Sequence, residues 1–214
     1  QSWWLKPMYF NIEDLRFRSE MNTVAVQQNM YHRSKIHPKI FAMWVGCASM
    51  AMLFAAFTSA YVVRQAAGNW LEFRLPDAFF WSAGVILLSS VLLHVSFVSF
   101  KAGKEFPYKV LLSLSTFLGL VFLALQYVGW NALTEQGVSL TGNPSGSFVY
   151  VISGVHAAHV LGGIAALLVA ILHAFALPFQ PGPGRKVRFE LTLIYWHFVD
   201  LLWIYLLVFF ILQR

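Results

Sequence analysis

Five long apolar runs dominate the sequence, and short polar segments separate each run from the next. The runs cover about residues 40–63, 79–100, 108–133, 148–177 and 191–212. About 20 apolar residues are enough for a helix to cross the hydrocarbon core of a bilayer, and each run reaches that length. The connections are rich in Gly, Pro, Asn and Ser, which favour turns. The pattern predicts an all-α membrane protein that folds as a bundle of five transmembrane helices.

The composition supports a protein that lies mostly in lipid. Hydrophobic residues make up 58% of the chain and charged residues only 11%, against about 25% charged residues in ordinary soluble domains. A soluble fold of this length needs a polar surface that this chain lacks. The single cysteine, Cys47, lies inside an apolar run, which excludes an internal disulfide and a cysteine-rich metal site.

The polar residues divide the chain into two regions and predict its orientation. Residues 1–38 are too charged to cross a membrane, so we interpret them as a polar extension that precedes a transmembrane domain over residues 39–214. Of the fifteen lysines and arginines, only Arg64, Arg74 and Arg214 fall on the side opposite the N-terminus. Positively charged connections stay in the cytoplasm. We therefore expect the N-terminus and its extension inside and the C-terminus outside.

Ionisable residues within the runs are the candidates for function, because they are costly in hydrocarbon. Six of them stand out: His94, His156, His159, His173, His197 and Asp200. His156 and His159 share one helix face, as do His197 and Asp200, because residues three apart on a helix are neighbours. Since a carboxylate near the midplane needs a partner, we hypothesise that Asp200 bonds His156 or His159 and clamps the fourth and fifth helices together.

Three interpretations of these residues remain open. The favoured one is a structural polar network between helices, formed by His156, His159, His197 and Asp200. The second is a haem or metal site, for which the shared depth of His94, His173 and His197 is suitable, although the Glu-x-x-His repeats of di-iron bundles are missing. The third is a proton or ion path, which the lack of acids and histidines in the first and third runs disfavours.

Two motifs resemble subunit III of the haem–copper respiratory oxidases. Residues 195–203 read Tyr-Trp-His-Phe-Val-Asp-Leu-Leu-Trp, similar to the most recognisable segment of that family. Residues 154–162 read Gly-Val-His-Ala-Ala-His-Val-Leu-Gly, similar to the family's Gly-x-His-x-x-His-Val-x-x-Gly. Both lie on the spans, and in the order, that the family has, and the resemblance covers about residues 37–212.

The resemblance implies an accessory subunit of a proton-pumping cytochrome c oxidase, integral to the inner membrane, in the short five-helix bacterial form. Such a subunit has no catalytic residue, metal or redox centre of its own. It packs against the large subunit that holds the haems and copper, contacts other subunits of the complex, and binds phospholipid. With this role we expect Arg64, Glu190 and Trp196 to contact lipid headgroups near the interfaces.

Two positions depart from the family pattern. Met50 and Gly129 stand where members usually carry glutamates within the first and third of these spans. The departure favours a role in scaffolding and lipid contact over proton handling. Alternatives within the family are a subunit of a quinol oxidase or one associated with a nitric oxide reductase. An alternative of another class is a free-standing transporter or haem protein that uses the histidines.

Overall fold

The structure is a computed structural model that describes residues 16–23, 37–179 and 182–213. Within those ranges every regular element is an α-helix: α1 (16–23), α2 (Pro38–Ala66), α3 (Asp77–Lys101), α4 (Glu105–Glu135), α5 (Pro144–Ala176) and α6 (Pro183–Leu212). Each of α2–α6 is long and apolar enough to cross a membrane. The predicted all-α membrane protein with five transmembrane helices is therefore confirmed.

The helices extend past the apolar runs, most of all at the start of α6. It begins at Pro183 rather than near Leu191, because a proline in the first turn has no amide that needs a helical partner and helical hydrogen bonding need not end at the edge of the hydrocarbon. At the start of α5 the Asn143 side chain accepts a hydrogen bond from the Ser145 amide at 3.0 Å. That side chain satisfies one free amide of the first turn.

The chain divides into two compact units, residues 1–41 and 42–214. The first unit contains α1, in which Arg16 and Glu20 lie 4.0 Å apart as an exposed ion pair. Residues 1–15 and 24–36 of the predicted polar extension lie outside the described residues. The extension therefore stays a prediction.

Four helices of the second unit form its core. α3 packs most extensively on α4 and also contacts α6, while α5 packs against α4 and α6. Gly103 and Gly137, with φ of 73° and 79°, end the turns that close α3 and α4, and such positive φ angles favour glycine. The short connections make successive helices antiparallel. We call the end where α3 and α5 finish the Lys101 end, and the opposite end the Arg64 end.

Candidate functional site between the helices

Three buried serines spaced seven residues apart mark the face of α3 that contacts α4. They are Ser82, Ser89 and Ser96, and seven residues are nearly two helical turns. Gln126 Nε2 donates to Ser82 Oγ at 3.0 Å, and Ser96 Oγ donates to the Tyr108 carbonyl at 2.9 Å. Hydrogen bonds thus join α3 to α4 along most of the depth of the bundle.

The middle serine, Ser89, connects three helices. Its hydroxyl lies 3.0 Å from that of Ser115 on α4, and it accepts a hydrogen bond from Trp196 Nε1 on α6 at 3.2 Å. All three side chains are inaccessible or nearly so. A polar contact in the interior of the bundle therefore fixes the rotation of α6 against α3 and α4.

Trp196 is seated between two glycines, one on each neighbouring helix. A Cβ added to Gly119 on α4 would lie 2.8 Å from Cη2 of the indole, and one added to Gly163 on α5 would lie 2.9 Å from Cε3. Distances that short leave no room for a side chain. The expectation that Trp196 contacts lipid headgroups is corrected, because the indole is 0% exposed and fills the space between helices.

His156 lies in the core of the bundle among aromatic rings. Its imidazole stacks on the Trp203 indole with centroids 5.1 Å apart and planes inclined by 25°. Phe54 and Phe122 meet it edge-on at 6.2 and 5.9 Å. Neither ring nitrogen has a hydrogen-bond partner among the described residues. His156 thus contributes mainly aromatic packing between α2, α4, α5 and α6.

Asp200 does not form the hypothesised clamp. Its carboxyl group is 2% exposed, and neither oxygen has a hydrogen-bond partner in the described part of the chain. The physical reason is the rotation of α6, which places the Asp200 carboxyl beside Ser90 of α3 and not beside the histidines of α5. The predicted hydrogen bond from Asp200 to His156 or His159 is therefore corrected.

A different hydrogen bond joins α5 to α6 at this depth. The Tyr195 hydroxyl donates to the His159 carbonyl at 2.9 Å, while His159 Nδ1 lies 2.8 Å from the Val155 carbonyl of its own helix. The backbone carbonyl of His159, rather than its imidazole, thus forms the hydrogen bond between α5 and α6.

His197 bonds α3 instead of α5. Its Nδ1 forms a short hydrogen bond with the Ser90 hydroxyl, which also neighbours the Asp200 carboxyl. The His94 imidazole lies beside that of His197, with centroids 5.7 Å apart. His197 is half-buried and His94 is exposed, so the pair lies where the contact between α3 and α6 reaches the surface of the bundle.

α2 attaches to the other helices through side chains along one narrow face. Phe54 packs edge-on against His159 at 5.8 Å, and Thr58 Oγ1 lies 2.9 Å from the Tyr205 hydroxyl. Near the Arg64 end, Gln65 Nε2 donates to the Gln213 carbonyl at 2.9 Å. Most of the remaining α2 surface is exposed.

Arg64 lines an open pocket where α2 ends and α5 begins. Its Nη1 donates to the Gly68 carbonyl at 3.0 Å. The other lining residues are Thr141, Gly142, Asn143, Pro144, Ser147 and Phe148. Glu190, the third residue expected near headgroups, is half-buried on α6 near the Lys101 end, away from this pocket.

A second cavity lies at the Lys101 end between α5 and α6. Its volume is about 100 Å³, and its walls include the rings of Phe100, Tyr108 and Phe189. Two guanidinium groups and an imidazole also line it, those of Arg185, Arg188 and His173. Arg185 Nη1 donates to the Pro178 carbonyl at 2.6 Å, which holds the loop before α6. The cavity combines an apolar interior with a basic rim.

Sequence reasoning missed the serine contacts although the signal was present. The seven-residue recurrence of Ser82, Ser89 and Ser96 lies within one apolar run. Small hydroxylated residues repeated on one helix face are typical of close helix contacts in membranes. Attention to ionisable residues alone overlooked them.

Comparisons with known proteins agree with the two motifs. The family model described as cytochrome c oxidase subunit III matches residues 76–213. The cytochrome c oxidase subunit 3 of Corynebacterium diphtheriae is 30% identical over 165 residues, which is 73% of this chain and 79% of the relative. A probable cytochrome c oxidase subunit 3 of Nocardia farcinica is 26% identical over 186 residues, 84% of this chain and 90% of the relative.

A relative that matches over a shorter stretch has the same name. The cytochrome c oxidase subunit 3 of Gallus gallus is 30% identical over 125 residues, 58% of this chain and 46% of the relative. The matched region includes α3–α6, whose contacts place Trp196, His156 and Asp200 in the core. The chain is thus a multi-pass membrane protein that belongs to the cytochrome c oxidase subunit III family.

Proposed function

We propose that this chain is a non-catalytic subunit of a bacterial cytochrome c oxidase in the inner membrane, where it stabilises the large catalytic subunit and binds phospholipid. The haems and copper belong to that partner. The observation that carries the proposal is the burial of the motif residues. His156, Trp196 and Trp203 are all 0% exposed, so they act by holding helices together, whereas catalysis or transport requires access for a substrate.

The packing around Gly129 supports a scaffold rather than a route for protons. The Phe79 ring occupies the space next to this glycine, and a Cβ at Gly129 would lie 2.5 Å from Cε1 of Phe79. Phe79 itself is 0% exposed and packs on Trp203 at 5.8 Å. A glutamate side chain at position 129 would have to displace that ring. The apolar core here thus replaces the carboxylate that the family pattern suggests.

Purification tests the main proposal. A tag at the C-terminus should recover this chain together with a large subunit and with the Soret absorption of its haems. The chain expressed alone should show no Soret band, because it supplies no haem site. A stoichiometric Soret band from the isolated chain would overturn the proposal in favour of a haem protein. Recovery from native membranes without any large subunit would favour a free-standing protein instead.

Two cavities support phospholipid binding. The pocket at Arg64 offers a guanidinium group beside the hydroxyl of Thr141, which suits a phosphate that accepts several hydrogen bonds. The cavity at the Lys101 end offers Arg185 and Arg188 above an aromatic wall, which suits a headgroup together with the start of an acyl chain. The two cavities lie at opposite ends of the bundle and therefore face opposite leaflets.

Lipid analysis of the purified complex tests this part. Arg64→Ala and Arg188→Ala should each lose a bound phospholipid in native mass spectrometry. The matched controls are Arg74→Ala, an exposed arginine paired with Asp77 at 3.8 Å, and Lys186→Ala, an exposed lysine outside the cavity. Unchanged lipid content in both cavity variants would contradict lipid binding at these sites.

A further inference from the structure

The outer edge of the contact between α3 and α6 exposes imidazoles at a depth where lipid offers them no partner. His94 lies seven residues before Lys101 on α3, which is about 10 Å along the helix axis. It is exposed, and its ring forms no hydrogen bond with any described residue. Ionisable side chains in membrane spans almost always face protein or a water-filled cavity. Something other than hydrocarbon therefore covers His94.

The surroundings of His94 are apolar and continuous with an exposed part of α6. We define the histidine face as Leu87, Val91 and His94 of α3 together with His197 and Leu201 of α6. Leu87, Val91 and Leu201 are 45%, 58% and 68% exposed. The spacing 87, 91, 94 follows one side of a helix. The two imidazoles lie side by side in the face, with ring centroids 5.7 Å apart.

This composition distinguishes a protein partner from lipid or water. Acyl chains offer no hydrogen-bond acceptor or donor. Trapped water needs between two and four polar groups to hold it. The two leucines and the valine of the face provide none, and the nearby Ser90 hydroxyl and His197 Nδ1 are already bonded to each other. A transmembrane helix satisfies both parts of the face, because its apolar side chains pack on the leucines and valine while one hydroxyl, amide or carbonyl group bonds His94.

We propose that the histidine face is the docking surface for a transmembrane helix of the oxidase large subunit, which presents a polar group to His94. The inference rests on the proposed function and specifies where the partner binds. His197 is held by Ser90 on the inner side of the contact, so its orientation is fixed before docking. His94 is then the group of the face that remains free to bond the partner.

Photo-crosslinking in the intact complex tests the location. p-Benzoylphenylalanine at Val91 should crosslink to the large subunit. The control is the same residue at Phe117 on α4, which is similarly exposed at 59% but lies on another helix and outside the histidine face. A crosslink from position 117 without one from position 91 overturns the proposal. A crosslink from position 91 to a second copy of this chain also overturns it, in favour of a dimer.

Two pairs of variants test the chemistry of the face. His94→Leu should raise the rate at which the large subunit is lost in mild detergent by about three- to tenfold, as expected when one hydrogen bond between membrane helices is removed. His94→Gln keeps a donor and an acceptor and should restore retention. If the ring faced lipid, His94→Leu would leave retention equal or better, which would overturn the proposal.

The second pair tests the shape of the face. Leu201→Trp adds bulk within it and should reduce retention of the large subunit. Leu172→Trp on α5, where the leucine is 65% exposed, should not. If the proposed function itself were wrong, the wild-type chain would recover no large subunit at all. That result differs from the one expected if only the histidine face were wrong. Recovery by wild type and by Leu201→Trp alike would reject the histidine face while leaving the proposed function intact.

Discussion

At the scale of single residues, Trp196 determines how closely three helices approach. Its indole occupies the volume that side chains at Gly119 and Gly163 would need, and its Nε1 is anchored on Ser89. In lipid the hydrophobic effect does not drive helices together, so close packing and hydrogen bonds must do so. One large ring between two glycines provides both.

Substitution of Gly163 tests the fit of that ring. Gly163→Ala should destabilise the bundle by roughly 1–3 kcal/mol, because overpacking forces neighbours to shift and the added Cβ would meet the indole at 2.9 Å. The matched control is Gly162→Ala on the preceding residue, where the nearest atom, the Tyr195 hydroxyl, is 3.5 Å away. Thermal unfolding in mild detergent measures both variants.

An alanine at Gly162 has room beside the Tyr195 hydroxyl. Gly162→Ala should unfold at the wild-type temperature or slightly above it, because alanine favours a helix more than glycine does. Equal unfolding temperatures for the two variants would show that Trp196 can move aside, and its proposed role in spacing the helices would be lost.

The sequence predicted which helices carry the polar residues better than it predicted their partners. Position along an apolar run assigns His156 and Asp200 to the fourth and fifth spans, and they are buried residues of α5 and α6. Partners depend on the rotation of each helix about its axis. The rotation of α6 places the Trp203 indole on His156 and the Asp200 carboxyl beside Ser90 of α3. An apolar run that is hydrophobic on every side carries no signal of that rotation.

At the scale of helices, α2 is attached differently from the other four. α3–α6 share extensive backbone proximity, whereas α2 has only four buried residues: Cys47, Phe54, Thr58 and Tyr61. Its contacts therefore depend on a few large side chains. We expect α2 to separate from the bundle before α3–α6 lose contact with one another.

Phe54→Ala tests this weaker attachment. The residue is 0% exposed and meets both His156 and His159. The substitution should lower the free energy of unfolding by less than the roughly 3–5 kcal/mol that Phe→Ala costs in the core of a soluble protein. Lipid is as apolar as the core of the bundle, so only packing contacts are lost. Cys47, which is 3% exposed on the same helix, is a native reporter whose maleimide labelling should become faster.

The neighbouring residue Leu53 is the control for that experiment. It is 40% exposed, so Leu53→Ala should leave the labelling rate of Cys47 close to that of wild type. An unchanged rate in Phe54→Ala would contradict the weak attachment of α2, since it would mean that Thr58 and Tyr61 hold the helix without this ring.

The ends of the helices show a second limit of sequence reasoning. The apolar runs identified all five spans, because hydrocarbon sets a minimum length of apolar chain. The fifth apolar run begins near Leu191, whereas α6 begins at Pro183. A hydropathy pattern reports where lipid ends, while a helix continues for as long as its backbone hydrogen bonds are satisfied.

At the scale of the whole molecule, charge predicts an orientation that helix packing alone does not determine. Lys101, Lys104 and Lys109 lie around the connection between α3 and α4, so the positive-inside rule places the Lys101 end in the cytoplasm. This orientation also decides which leaflet each of the two basic cavities faces. The predicted location of the N-terminus inside and the C-terminus outside therefore has consequences for lipid binding.

Cysteine labelling in intact cells tests the orientation. In a Cys47→Ala background, Gln136→Cys, at an exposed position after α4, should react with a maleimide that cannot cross the inner membrane. Lys104→Cys, at an exposed position after α3, should react only once the membrane is opened or turned inside out. The reverse pattern would invert the orientation and exchange the leaflets proposed for the Arg64 pocket and the Arg188 cavity. Because both positions lie in connections outside the helices, neither substitution removes a contact between helices, and the difference in labelling reports the side of the membrane alone.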